Sequence, residues 1–144
     1  LNELVRPFRV GRDAVAANAG LKPERLRGIE AGLDWAEGPW RASATLFANR
    51  LSNPIVNVTR GTGPGVFPGV GLVAGTYRRR ENLEAIDSRG LEAELGWRSG
   101  DWRASGAVSL VSARVRDAGP LDGLRPAQVP SLTATAEVGW RALA

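Results

Sequence analysis

Cysteine and histidine are absent from the 144 residues, which excludes disulfide frameworks, Cys/His zinc sites, thiol nucleophiles and imidazole bases. Most metal and triad chemistry goes with them, and we expect neither a cofactor nor an enzyme. Lysine is nearly absent as well: Lys22 is the only one, so the net charge of +4 is an arginine charge. A basic excess suits nucleic acid, but here the arginines form no basic helix or stripe. They recur beside Glu and Asp, without an aromatic stacking platform, so no nucleic-acid partner is expected. Long hydrophobic runs are missing too. No stretch reaches the roughly 18 apolar residues of a membrane helix, and mean hydropathy is slightly polar. A barrel strand, however, needs only about 9 to 11 residues of alternating character, so a membrane is not excluded. The sequence starts at Leu1 with neither Met nor a signal peptide and reads as part of a longer protein.

What is present is a repeat. Gly28–Ser43 reads GIEAGLDWAEGPWRAS and Gly90–Ser105 reads GLEAELGWRSGDWRAS, aligned without a gap. Each copy carries two tryptophans, Trp35 and Trp40 or Trp97 and Trp102, flanking the turn formers Ala36–Pro39 or Arg98–Asp101. Each therefore predicts a β-hairpin with a tight connection. A hairpin symmetric about that connection sets Trp35 opposite Trp40 and Asp34 opposite Arg41 as an ion pair. It also sets Phe47 across from Gly28, where its ring would cover bare backbone.

Alternation on both sides of the turns selects strand over helix. Ile29, Ala31, Leu33 and Trp35 share an apolar face, continued by Trp40, Ala42, Ala44, Leu46 and Ala48 on the returning strand. The second hairpin repeats this with Leu91, Ala93, Leu95 and Trp97, then Trp102, Ala104, Gly106, Val108 and Leu110. A further strand, Leu132 to Trp140, does the same. Opposite lie Glu30, Glu92, Glu94 and Glu137 among Gly, Ser, Thr and Arg, a polar lining rather than paired catalytic carboxylates. All five tryptophans, Trp35, Trp40, Trp97, Trp102 and Trp140, fall on the apolar face at one strand end. A soluble core would hold large aromatics near its centre, whereas a row at strand ends suits the girdle of a membrane interface. The connections agree: short turns at the Trp end, and long Gly/Pro-rich segments, about Ser52 to Leu83 and Asp117 to Pro130, at the other. Short periplasmic turns with long extracellular loops are the outer-membrane rule. The expected fold is an all-β, antiparallel up-and-down transmembrane β-barrel fragment of about six strands, in contact with outer-membrane lipid and lipopolysaccharide.

Asn18 to Glu24 reads NAGLKPE and is followed by GIEAGLDW, which resembles a signature of TonB-dependent receptors, Asn-Pro-x-Leu-Lys-Pro-Glu before a strand with Glu-x-Gly, with Ala19 in place of Pro. FANRLSNPIVNV, Phe47 to Val58, is similar to the family's next upward strand. RRRENLEAIDSRGLEAEL, Arg78 to Leu95, places Asn82, Arg89, Gly90 and Glu92 as the family's Asn and Arg-Gly-hydrophobic-Glu run does. The opening LNELVRPFR, Leu1 to Arg9, resembles the strand before the first motif. The resemblance covers nearly the whole chain. It implies residues 1–144 as a partial barrel domain in the outer membrane, without the plug domain, TonB box or C-terminal strand of a complete member. It further implies the plug and the TonB complex as partners and a scarce nutrient, such as a ferric siderophore, as cargo. A porin-like or adhesin barrel without a plug, or a soluble β-sandwich binding module, are the alternative readings.

The Gly-rich stretch Gly61 to Gly75 lacks the Gly-Lys-Ser/Thr of a phosphate cradle and reads as a mobile extracellular loop. Phe67, Tyr77, Arg78, Arg79 and Arg80 are the candidate ligand contacts, offering aromatic surface and positive charge to an anionic chelate. These arginines are equally suited to lipopolysaccharide phosphates or to Glu81 and Glu84.

Overall fold

The computed structural model describes residues 6–117 and 119–142, and among these every regular element is a strand. In chain order they are β1 (Phe8–Val10), β2 (Asp13–Ala16), β3 (Arg25–Glu37), β4 (Trp40–Ser52), β5 (Ile55–Thr62), β6 (Gly65–Phe67), β7 (Gly71–Val73), β8 (Thr76–Asn82), β9 (Ala85–Ser99), β10 (Trp102–Arg116) and β11 (Leu132–Trp140). Two compact units result, one from Leu1–Arg25 with Leu51–Ala85, the other from Leu26–Arg50 with Ile86–Ala144.

The second unit is a five-stranded sheet in the order β11-β10-β9-β4-β3. Its two hairpins turn on Gly38–Pro39 and Gly100–Asp101, connections of two residues rather than four. Gly38 has φ 53° and Gly100 φ 55°, a positive value at the first central position that matches the right-handed twist of the flanking strands and that glycine adopts without strain. The shorter turn corrects the expected register. Gly28 approaches the Asn49 side chain and Gly32 lies 3.4 Å, at the position of a Cβ, from Thr45 Oγ1, so Phe47 is not opposite Gly28. No ion pair joins Asp34 to Arg41 among the described residues. The Phe47 ring instead covers Gly90 on the neighbouring strand, where a Cβ would lie 2.5 Å from its Cζ. Phe47 keeps to the polar face and still shields a glycine, but a different one.

The faces are as the alternation requires. Between β10 and β11, Trp102 pairs with Trp140, Ala104 with Val138 and Leu110 with Leu132 on one side. Arg103 pairs with Gly139 and Ser105 with Glu137 on the other, where Arg103 donates to Glu137 at 2.8 Å. Among the described residues of this unit nothing covers the apolar side: Ile29 is 73% and Leu33 71% exposed. A water-soluble sheet would lose roughly 25 cal/mol for each Å² of apolar surface left in water, so the face requires an apolar surround. Its buried side chains, Ala113 and Val115, lie where Gly123 and Leu124 fold back to bond the backbone of Val115 at 2.9 Å each.

The first unit contains a four-stranded sheet, β1-β2-β8-β5, and the β6-β7 hairpin. The Gly-rich segment expected to be a mobile loop is thus largely regular strand. One pairing is parallel, β2 with β8 through Ala14 and Tyr77, a departure from the antiparallel expectation that the long intervening chain permits. Ala14, Val15, Ala16, Val73, Tyr77, Leu83 and Ala85 are buried. Of the opening segment expected to be a barrel strand, residues 1–5 lie outside the described residues, and Phe8–Val10 is a short strand paired to β2.

Candidate functional site

The tryptophans expected to form a girdle stand one on each long strand. Trp40 and Trp97 have ring centroids 6.3 Å apart at 48°, and Trp102 and Trp140 6.1 Å apart at 33°. Tilted pairs at these distances are favourable aromatic contacts. Trp35 stands on β3, the strand at the edge of the sheet.

The remaining predicted residues belong to the first unit. A bulge in β5 makes this arrangement: Thr59 pairs with Arg78 and Gly61 with Tyr77, which leaves Arg60 as the extra residue. At Gly61 the missing side chain leaves room for Phe67, whose Cε1 would lie 2.5 Å from a Cβ there. Phe67 then stacks on Tyr77 with centroids 4.6 Å apart and planes at 17°. Tyr77 is buried and donates its hydroxyl to the Pro68 carbonyl at 3.2 Å, so it acts as packing beneath Phe67. Arg78 pairs with Asp13 at 3.3 Å, Arg79 donates to Asn18 Oδ1 at 3.3 Å, and the Arg80 guanidinium lies 5.1 Å from the centroid of the Phe8 ring. The structure therefore joins Phe67 to Tyr77 and gives each arginine a different neighbour.

Arg60, re-aimed by the bulge, grips Glu81 with both ends of its fork, Nε donating to Oε1 at 2.7 Å and Nη2 to Oε2. The hydrogen bond from Arg60 holds the Glu81 carboxyl below its ordinary value, against a smaller desolvation effect and with help from the charges of Arg60 and Arg79. A depressed carboxylate contributes stability that is complete above its unfolded value and is lost as pH falls through the folded one. The protection of backbone amides in β5 and β8 of the full-length protein, measured against their intrinsic exchange rate at each pH, is therefore expected to fall as pH drops below the ordinary carboxylate range. In Glu81→Gln this acid-dependent step should disappear. A Glu81→Gln variant with the same acid step would show that another group controls it.

Sequence reasoning missed the polar residues that tie the unit together. Asn82 accepts from the Lys22 amide at 2.8 Å and donates to the carbonyls of Lys22 at 3.0 Å and Asn53 at 2.7 Å. Asn18 donates to the Arg80 carbonyl at 2.9 Å, and the Glu24 carboxylate accepts from the Ile55 amide at 2.7 Å. Asn53, at φ 55°, is one of two non-glycine residues with positive φ among those described. The usable signal was Asn and Glu inside the NAGLKPE and RRREN motifs, which serve here as backbone clamps. Charge also segregates: the first unit's segments hold nine basic and five acidic residues, so the whole net charge of +4 lies there. No cluster of metal-binding side chains occurs among the described residues.

Among the solved structures that resemble the fold are two of the FrpB iron transporter from Neisseria meningitidis. The F5-1 variant is 24% identical with a TM-score of 0.63, and the match covers 91% of this chain and 19% of that one. For the F3-3 variant the identity is 23%, the TM-score 0.62 and the coverage 89% and 18%. The chain thus spans about a fifth of the length of either transporter. A comparison with curated protein sequences found no match. Over residues 1–144 the sequence matches the family described as TonB dependent receptor-like, beta-barrel, and the chain belongs to that family.

Proposed function

We propose that the chain is the later part of the barrel of a TonB-dependent transporter in the bacterial outer membrane, and that the parent protein holds a plug and engages TonB to import a scarce nutrient. The observation that carries this reading is the uncovered apolar face of the five-stranded sheet with one tryptophan per strand at one end. Lipid supplies the missing surround, the girdle marks the periplasmic interface, and the acidic and hydroxyl face lines the lumen. The first unit contains the long segment read as extracellular, and its net positive charge favours an anionic cargo such as a ferric siderophore.

Cells lacking the gene should lose uptake of radiolabelled ferric chelate, and cells lacking TonB should lose it equally. Uptake that persists without TonB would point to a passive barrel instead. In the full-length protein, Arg79→Gln with Arg80→Gln is expected to weaken binding of an anionic ferric chelate about tenfold, roughly 1.4 kcal/mol. The loss should shrink as salt rises, since exposed charges are screened over about 10 Å at 0.1 M. Unchanged affinity by calorimetry would remove these arginines from the ligand site.

A further inference from the structure

The apolar face of the five-stranded sheet changes character along its strands, from tryptophan through aliphatic residues to arginine. Three contacts fix β4 against β9 at one constant register. Trp40 meets Trp97, Phe47 covers Gly90 on the opposite face, and Arg50 pairs with Asp87 at 3.2 Å. Asp87 and Arg89 are therefore on the tryptophan side. On β10, where Trp102 to Leu110 alternate regularly against β11, Arg114 and Arg116 continue the same side, and Arg116 Nε reaches Asp87 at 3.1 Å. Arg27 continues the side of Ile29 and Leu33 on β3. Five arginines, Arg27, Arg50, Arg89, Arg114 and Arg116, thus share this end of the tryptophan side with the Asp87 carboxylate. Arg50 and Arg116 share Asp87, Arg114 donates to the neighbouring Ala113 carbonyl at 3.0 Å, and Arg27 and Arg89 form no ion pair among the described residues.

Height gives this rim its meaning. Arg89 is eight and Asp87 ten residues from Trp97 along β9. At about 3.3 Å per residue and a tilt near 40°, they stand roughly 20 and 25 Å above the girdle, the upper edge of an apolar band about 25 Å tall. A face turned outward at that level meets lipid headgroups, where uncompensated guanidinium groups are costly beside neutral surfaces and favoured beside phosphate. We infer that the rim Arg27, Arg50, Arg89, Arg114 and Arg116 binds the phosphate groups of outer-leaflet lipopolysaccharide, with Asp87 fixing the orientation of Arg50 and Arg116. The inference rests on the membrane-barrel reading and adds a lipid site on its outer wall, apart from any cargo site.

The test uses the full-length protein, folded in detergent and titrated with purified lipopolysaccharide and with the same lipid after enzymatic dephosphorylation. Replacing Arg27, Arg89 and Arg114 together by Gln spares the Asp87 pairs. At about fivefold per arginine, it should weaken binding roughly a hundredfold. Lys at the same three positions should retain most of the affinity, and millimolar inorganic phosphate should not compete. Equal binding by the Gln variant, equal binding of dephosphorylated lipid, or competition by inorganic phosphate would each overturn the lipid assignment. Heat-modifiable gel mobility and insertion into vesicles separate the two failures. A protein that inserts but ignores lipid phosphate keeps the barrel and loses the rim, whereas one that does not insert loses both.

Discussion

Leu91→Arg is expected to destabilise the full-length barrel in lipid by about 2 to 4 kcal/mol and to impair its assembly, whereas the adjacent Glu92→Arg is expected to assemble nearly normally. Leu91 lies six residues from Trp97, on the same side of β9. At about 3.3 Å per residue and a tilt near 40°, that is roughly 15 Å above the girdle, near the middle of a 25 Å band. A guanidinium there has no water and no partner at its own level. Glu92 points to the face that carries the Arg103 and Glu137 pair, where charge is solvated. Urea titration of both variants decides the matter. If Glu92→Arg proved the more damaging, the two faces would be reversed and the membrane reading would lose its main support.

A methyl group at Gly90 is expected to be nearly as disruptive, for a steric reason. A Cβ there would lie 2.5 Å from the Phe47 Cζ and 2.5 Å from the Leu110 carbonyl oxygen. Overpacking of this kind costs about 1 to 3 kcal/mol, only partly offset by the roughly 0.4 to 1 kcal/mol gained from a stiffer unfolded chain. Phe47→Ala added to Gly90→Ala should recover part of the loss and not all of it, because the carbonyl contact is backbone and stays. Gly106→Ala is the control: its nearest neighbour, the Thr135 carbonyl, is 3.6 Å from the Cβ position, an ordinary contact, and the change should stay within about 0.5 kcal/mol. Equal urea midpoints for Gly90→Ala and Gly106→Ala would contradict the close approach of Phe47.

The faces of the long strands were legible because side chains alternate with a period of two, and neither the turn length nor the pairing partner affects that alternation. Register was not. Shifting the first hairpin from a four-residue to a two-residue connection moves every partner by two and leaves every face unchanged, so Trp35 and Trp40 stay on one side while Phe47 exchanges Gly28 for Gly90. Tyr77 shows a different limit. Its neighbours Arg78 to Arg80 suggested an exposed ligand contact, yet the alternation of β8, the bulge at Arg60 and the gap at Gly61 place it under Phe67. That outcome depends on pairing with segments far away in sequence, which local composition does not encode. The same holds for the site's clamps: Asn82 holds Lys22 from 60 residues away.

The parallel pairing of β2 with β8 has a kinetic consequence. Ala14 and Tyr77 are brought together across the whole β3 and β4 hairpin, whereas β3 meets β4, and β9 meets β10, across two residues. Loop closure costs entropy that grows with the length spanned, and long-range pairings are correspondingly slow to form. The two hairpins are therefore expected to form early in assembly, and the β1-β2-β8-β5 sheet, with its Asn82 clamp, late, because it closes at lower entropic cost once the β3 and β4 hairpin has turned back. A chain arrested before that step would already carry its row of tryptophans and its apolar face while the β1-β2-β8-β5 sheet was still unmade.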